Sequence, residues 1–387
     1  MKRLFILGST GTIGVNALDV VRRFKDKISV SVLVANKSWE KIKQQIEEFS
    51  PERVILTDYE SYLKLAKSVD KNHTKIEYGL EAVKEALATH KNDVILSAFS
   101  GTAGVMPTYW AVQNGSYVAL ANKESLVSAG YLIMPLAKKN NASIIPVDSE
   151  HSAIFQLLIG KSKGDLRKII LPASGGPFLN VSNSELDTIS VEDALSHPVW
   201  RMGKKISIDS ATLANKGLEV IEAHHLFEVP FEKIDVVIHP QCLIHGVIQM
   251  NDGAFFSHIG EPDMRHPITY AIFHPERVEY KAPDLKSFVK ELKIFDVDKK
   301  KFPMLKLAYE VGEAGKTYPA VYNVADEIAV NYFLKGIIGY KDIYRVVAKT
   351  IELHKPYEVD DIAFIYEIEK EVEGHVKKII KKGSCKK

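Results

Sequence analysis

Short apolar runs and longer amphipathic ones alternate through the first 148 positions of the chain. The strand-like runs are 3–7, 28–35, 52–56, 93–98, 116–121 and 143–147. Between them lie stretches of helical spacing, such as 12–24, where Ile13, Ala17, Val20, Val21 and Phe24 recur near one face. Strands separated by helices build βαβ units, so this part predicts a parallel sheet covered on both faces.

After 148 the rhythm changes. A short helix at 149–158 leads to a strand at 166–171 and an irregular stretch containing Gly and Pro. A strand is predicted at 204–208, running into a helix at 211–227. A meander follows at 234–239, 243–250 and 254–259, with Asn251-Asp252-Gly253 as a hairpin turn. This segment reads as an α+β domain whose sheet can pair across a dimer. Beyond about 294 the chain reads as helical to its end, broken at Pro303 and Pro319.

Gly8-Ser9-Thr10-Gly11-Thr12-Ile13-Gly14 follows the first strand and opens the first helix. Glycines there let the backbone approach a pyrophosphate, and the helix N-terminus offers N–H groups and positive dipole. At the end of the second strand, where NAD sites place an acid for the ribose, the chain has Asn36-Lys37-Ser38. Lys37 suits a 2′-phosphate, which favours NADPH over NADH; a solvated loop lysine is the plainer alternative. The expected fold class is α/β: an N-terminal Rossmann-like parallel sheet, a central α+β catalytic domain and a C-terminal helical domain. Boundaries fall at 1–148, 149–267, a linker at 268–293, and 294–387.

Composition narrows the partners. The 387 residues suffice for two or three domains, and the net charge of +2 gives no reason to expect nucleic acid or an anionic membrane. Only KKIIKKGSCKK at 377–387 is strongly basic, as befits the solvated end of a helix. No run approaches the roughly 20 apolar residues of a membrane span. With a first strand predicted from Arg3, no signal or transit segment is expected. The two cysteines, Cys242 and Cys385, have no CxxC partner, which fits a reducing compartment and excludes a four-cysteine zinc site. The cytoplasm is the expected location.

Asp148-Ser149-Glu150 ends the sixth strand-like run, on the ligand-binding edge of an open parallel sheet. In extended backbone, residues i and i+2 point to one side, so both carboxylates can meet one cation. The alternative is that Ser149 caps the next helix. Asn215 and Glu219 lie one helical turn apart, with Lys216 beside them, a grouping suited to an anionic substrate and a metal. All-oxygen ligation by Asp148, Glu150 and Glu219 indicates Mg²⁺ or Mn²⁺. Ser174 in Ala173-Ser174-Gly175-Gly176-Pro177, and Ser210 before the 211–227 helix, are candidate phosphate donors. Between them His197-Pro198-Val199-Trp200-Arg201-Met202-Gly203 reads as a mobile cover, with Trp200 and Met202 able to lie on a ligand. His224-His225 is no metal site, because neighbouring helix residues point apart.

Together these pieces resemble the 1-deoxy-D-xylulose 5-phosphate reductoisomerase family. The matching runs are GSTGTIG, ALANKESLVSAG at 119–130, PVDSEHSAIFQ at 146–156, ASGGPF at 173–178, HPVWRMGKKISIDSATLANKGLEVIEA at 197–223, IHPQ at 238–241 and GEPDMRHPI at 260–268. The resemblance implies a non-mevalonate isoprenoid enzyme that rearranges 1-deoxy-D-xylulose 5-phosphate and reduces the aldehyde with NADPH to 2-C-methyl-D-erythritol 4-phosphate. It implies that Asp148, Glu150 and Glu219 hold the metal. Ser174, Ser210, Asn215 and Lys216 would bind the substrate phosphate, with His197 nearby, while Ser149, Glu150 and Lys123 contact the sugar. Glu150, Lys123 and His197 are the expected catalytic groups, Glu150 as acid/base helper. Thr10, Gly11, Thr12, Ile13, Asn36, Lys37, Ser38, Asn122, Glu124 and Gly203 would line the cofactor site, and Trp200 and Met202 fall on the family's lid. The 1–148 domain would bind NADPH, 149–267 would be catalytic and dimerising, and a homodimer is implied. Many members have Gly-Lys-Asn where this chain has Asn36-Lys37-Ser38; the lysine is kept.

Other readings fare worse. A simple NADP-dependent dehydrogenase of another phosphorylated sugar, in its short-chain form, needs Tyr-x-x-x-Lys, found only as Tyr366…Lys370 in a charged C-terminal helix. Thiohemiacetal chemistry needs a well-placed cysteine. A non-catalytic NADPH sensor has no use for three carboxylates and a phosphate cluster.

Overall fold

The computed structural model describes residues 1–69, 74–200, 202–280 and 283–383. The chain divides into two compact units. The first comprises Met1–Ser125, Ile133–Ser152 and Asp263–Tyr280; the second comprises Leu126–Leu132, Ala153–Pro262 and Lys281–Lys387.

The elements of residues 1–158 are β1 (Lys2–Leu7), α1 (Thr12–Arg23), β2 (Ile28–Ala35), α2 (Trp39–Phe49), β3 (Arg53–Leu56), α3 (Tyr59–Ser68), β4 (Lys75–Tyr78), α4 (Gly79–Thr89), β5 (Val94–Ser97), α5 (Val105–Gln113), β6 (Tyr117–Leu120), α6 (Lys123–Lys139), β7 (Ser143–Pro146) and α7 (Ser149–Leu158). The seven strands form one parallel sheet ordered β4-β3-β2-β1-β5-β6-β7. Leu4 to Leu7, Val32 to Ala35 and Val118 to Leu120 are buried, because a parallel sheet is covered on both faces and its strands are continuous apolar runs. Strand order reverses between β1 and β5, which opens the crevice where such folds bind dinucleotides. The edge strand β4 went unpredicted: its Lys-Ile-Glu-Tyr sequence, exposed or half-buried throughout, contains no apolar run.

Beyond 158 come β8 (Leu166–Ala173), α8 (Val191–Leu195), α9 (Lys204–Thr212), α10 (Ala214–Phe227), β9 (Ile234–Ile238), β10 (Ile244–Met250), β11 (Phe255–Ile259), α11 (Arg265–Phe273), α12 (Leu285–Phe288), β12 (Phe295–Asp296), α13 (Pro303–Ala314), α14 (Tyr318–Leu334), α15 (Tyr340–Leu353) and α16 (Phe364–Lys381). The second unit's sheet is mixed and ordered β11-β10-β8-β9-β12. The predicted hairpin is present: Gly253 has φ +90°, and Gly253 N–H donates to the Met250 carbonyl at 3.0 Å. Pro303 and Pro319 stand in the first turns of α13 and α14, where a missing N–H costs nothing. The α/β class, with its helical C-terminal part, is borne out; the short β12 is a minor exception.

The strand expected at 204–208 is the start of α9. Ile206-Ser207-Ile208 imitates strand alternation, but residues 207–212 are all buried. A helix buried on most sides has no polar stripe to reveal its 3.6-residue period. Ser210 therefore lies in the last turn of α9 and not before a helix; Leu213, at φ +58°, joins α9 to α10.

Candidate functional site

The β1–α1 turn is a close-packed cradle. Gly8 has φ +94°, and a Cβ there would sit 2.5 Å from the Ala98 carbonyl oxygen at the end of β5. A Cβ on Gly14 would fall 2.4 Å from the Gly8 oxygen and 2.5 Å from Ser9 Cα. Ser9 Oγ donates to Gln45 Oε1 at 2.7 Å while Gln45 Nε2 returns a bond to the Ser9 carbonyl at 3.0 Å, which fixes the turn from α2. Gly11 caps α1 without a side-chain hydrogen bond, so the first N–H groups of α1 are left for a ligand. Thr10, Gly11, Thr12 and Ile13 are exposed or half-buried along it.

Asn36 and Lys37 are exposed beyond β2, and Ser38 begins α2 without using its hydroxyl as a cap. Ser61 Oγ donates to the Lys37 carbonyl at 3.1 Å, tying this loop to α3. Asn122 caps α6 and is 1% exposed. Its Nδ2 donates to the Phe99 and Gly101 carbonyls and to Glu124, whose other oxygen accepts the Gly101 N–H at 3.2 Å. Both side chains thus shape the β5 and β6 ends, and any contact of Asn122 with a cofactor falls to its main chain.

Also in the first unit, Asp148 gathers a group of its own. Lys123, 6% exposed, donates its ammonium to Asp148 Oδ2 at 2.5 Å. Asp148 Oδ1 accepts the Glu150 N–H at 3.2 Å and faces His151 Nδ1 at 3.2 Å. Asp148, not Ser149, is the N-cap of α7. The extended-backbone argument for the carboxylate pair is accordingly corrected: Asp148 and Glu150 are brought together by a helix cap and its first turn. Their oxygens lie within 4.8 Å of one another, suitable for one hard cation. Ser149 Oγ donates to Glu150 Oε2 at 2.5 Å.

The second unit holds the remaining candidates. On α10, Glu219 accepts Asn215 Nδ2 at 2.5 Å and the Lys216 ammonium, as the helical spacing predicted. Lys216 and Glu219 are 3% and 1% exposed. A buried pair like this adds little net stability, so it calls for another reason. After β8, Ser174 Oγ meets His197 Nε2 at 2.9 Å and accepts the Gly176 N–H at 3.1 Å. His197 Nδ1 accepts the N–H groups of Val199 and Trp200 at 3.2 and 2.9 Å. The ring proton therefore sits on Nε2, and burial depresses the His197 pKa, keeping the ring neutral. Both acceptor positions of Ser174 are filled, which leaves its hydrogen to be donated to a ligand. Gly176 brings this turn against Ser210: a Cβ there would lie 2.8 Å from the Ser210 carbonyl oxygen. Residues 196–203 form no regular element among the described residues, with Trp200 and Met202 half-buried and Gly203 exposed.

Three family models match, described as 1-deoxy-D-xylulose 5-phosphate reductoisomerase over 4–130 and as its C-terminal domains over 144–227 and 259–375. The chain belongs to this family. It is 45% identical to the 1-deoxy-D-xylulose 5-phosphate reductoisomerase of Geotalea daltonii over 371 residues, covering 95% of this chain and 96% of that one. Identity to the Chlorobaculum tepidum protein of the same name is 48% over 358 residues, covering 92% and 94%. Among solved structures, DOX-P reductoisomerase in complex with NADPH, fosmidomycin and magnesium matches with a TM-score of 0.92 at 35% identity, covering 98% of each chain. The Zymomonas mobilis enzyme in complex with NADPH matches at 0.91 and 37%, covering 98% and 99%. The family expected from the sequence is thus borne out.

Against this family background, sequence reasoning missed His151 and Gln45. His151 is fully buried. The Asp148-x-x-His151 spacing, cap to third helical residue, was the available signal. Gln45 carried none, since its role depends on how α2 lies against the turn. His224 and His225 do not point apart as expected: their rings meet edge to face with centroids 4.9 Å apart, His224 also stacks on Phe231 at 4.2 Å, and burial pushes the His225 pKa down to about 3. Tyr366 and Lys370 are exposed on α16. Cys385 lies outside the described residues.

Proposed function

We propose that the chain rearranges 1-deoxy-D-xylulose 5-phosphate and reduces the product aldehyde with NADPH to 2-C-methyl-D-erythritol 4-phosphate, a step of isoprenoid biosynthesis. The observation that carries the site assignment is Ser174. Its oxygen accepts from His197 and Gly176, so it can only donate to a ligand, and donors alone suit a phosphate. Ser210, Asn215 and Lys216 complete this cup. The buried ammonium of Lys216 supplies charge, and His197 holds the Ser174 proton outward through Nε2–H.

The donor chemistry of Asp148, Glu150 and Glu219 fits Mg²⁺ or Mn²⁺, carboxylate oxygens being hard ligands. Held by these three carboxylates, such a cation would acidify a sugar hydroxyl and would stabilise developing negative charge. Lys123 orients Asp148 and, with Ser149 and Glu150, contacts the sugar; Glu150 exchanges the proton at the sugar oxygen. The Gly8–Gly14 cradle, whose close packing leaves no room for a Cβ at Gly8 or Gly14, fits the pyrophosphate of NADPH, with Lys37 between Asn36 and Ser38 taking the 2′-phosphate. Glu124, Gly203 and the Asn122 main chain line the nicotinamide end, and Trp200 and Met202 exclude water.

In this reading 1–148 binds NADPH, 149–267 is catalytic and dimerising, 268–293 links, and 294–387 is the helical domain. A second copy is the partner for β11, an edge strand whose Phe255, Phe256 and Ile259 are 61%, 42% and 40% exposed. The cytoplasm is the assigned compartment; no helix of the described residues is long and apolar enough to cross a membrane.

The test is NADPH oxidation with 1-deoxy-D-xylulose 5-phosphate, with and without Mg²⁺ or Mn²⁺. Metal-dependent turnover is expected. Folded protein that shows none would overturn the proposal.

A further inference from the structure

The phosphate cup is assembled from distant parts of the chain. Ser174 stands on the turn after β8 and Ser210 in the last turn of α9, so something must fix their spacing. Gly176 allows the turn to lie flat on the end of α9, with room for no side chain between them. Close approach alone does not set a register.

Tyr340, the first residue of α15, touches both halves. Its hydroxyl donates to the Ala211 carbonyl at 2.6 Å, next to Ser210. That carbonyl is among the last four of α9, which have no partner within their own helix. The edge of the Tyr340 ring meets Phe178, four residues beyond Ser174, with centroids 5.0 Å apart at 79°. Phe333 packs on the same ring at 6.2 Å. The next residue, Lys341, donates to Asp187 Oδ2 at 2.8 Å, so the start of α15 grips the 173–188 segment twice. Tyr340 is 7% exposed and Ala211 fully buried, so water does not compete for the bond. Burial raises the phenol pKa, keeping the hydroxyl a donor at all working pH values.

We infer that Tyr340 is a positioning residue for the substrate phosphate, holding the Ser174 turn and the Ser210 helix end at the spacing of one phosphate group. This rests on the reading that the two serines take that phosphate. An ordinary core tyrosine would differ in one respect: losing its hydroxyl would lower stability without favouring one substrate over another.

The experiment compares wild type and Tyr340→Phe as full-length protein with metal and NADPH. The substrates are 1-deoxy-D-xylulose 5-phosphate and the same sugar lacking its phosphate. Expected for Tyr340→Phe is a KM for the phosphorylated sugar raised about tenfold, the scale of one buried hydrogen bond. Its kcat should stay within about twofold, with NADPH affinity and kcat/KM for the unphosphorylated sugar unchanged. An unchanged KM, or equal losses with both sugars, would overturn the inference. Phe178→Leu keeps the hydroxyl bond and thins the ring contact. It should raise the same KM about threefold and decides the matter if Tyr340→Phe does not fold. Ser174→Ala separates the layers. If it spares the phosphorylated sugar, the cup reading falls and this inference with it; if it penalises that sugar while Tyr340→Phe does not, only the positioning role falls.

Discussion

Two glycine-bearing turns carry the phosphate chemistry proposed here, and they are built on opposite principles. The Gly8–Gly14 turn is local in its donors, although Gln45 on α2 and Ala98 after β5 brace it. One strand, one turn and one helix supply every N–H, and its tight packing against Ser9 and Ala98 involves main chain alone. The turn at Ser174 is not. Its donor is a side chain whose hydrogen is aimed by His197, 23 residues away, and whose neighbours Ser210 and Lys216 sit on other elements. A backbone device tolerates many side-chain changes but no Cβ at its closest approach. A side-chain device tolerates backbone drift poorly and can be dismantled one group at a time.

The sharpest way to break the comparison is Glu219→Gln. Losing a carboxylate from the proposed metal set should cut kcat by roughly a thousandfold or more, since a metal contributes several kcal/mol to charge stabilisation. Melting temperature on the same preparation checks that the Lys216 ammonium, left with a neutral partner, has not unfolded α10. Retained turnover would remove Glu219 from the metal set.

A smaller effect is expected at the exposed end of the local device. Lys37→Ala should weaken NADPH by about tenfold and leave NADH unchanged, as expected for one charge-assisted contact to the 2′-phosphate. Fluorescence titration with both cofactors measures it, and equal losses would assign Lys37 a structural role.

Smaller still is a pH effect at His197. Burial lowers its folded-state pKa, so between that value and the ordinary imidazole value near 6.5 the unfolded chain binds more protons. The associated stability is full above about pH 6.5 and declines as pH falls. Protonated His197 must also give up its two bonds from Val199 and Trp200. Thermal melts between pH 7 and 5 should fall more steeply for wild type than for His197→Gln; parallel curves would contradict this.

The same contrast governs what could be read in the sequence. The Gly8–Gly14 turn was legible because its parts are consecutive, and the Asn215–Lys216–Glu219 face because helical spacing places them together. Asp148 and Glu150 were paired correctly for the wrong geometric reason, since a helix cap and a strand both bring i and i+2 near each other. Ser210 was misplaced because α9 is buried around its circumference and its isoleucines alternate like a strand. β4 was missed because an edge strand needs few apolar residues. Tyr340 and Gln45 left no trace, because their roles exist only once distant elements are packed.

The most direct test of two separately built phosphate sites is Ser174→Ala, with both ligands measured on one preparation. The account predicts a KM for 1-deoxy-D-xylulose 5-phosphate raised about tenfold to a hundredfold and an NADPH affinity within twofold of wild type. Parallel loss of NADPH binding, or an unchanged KM for the sugar phosphate, would contradict it.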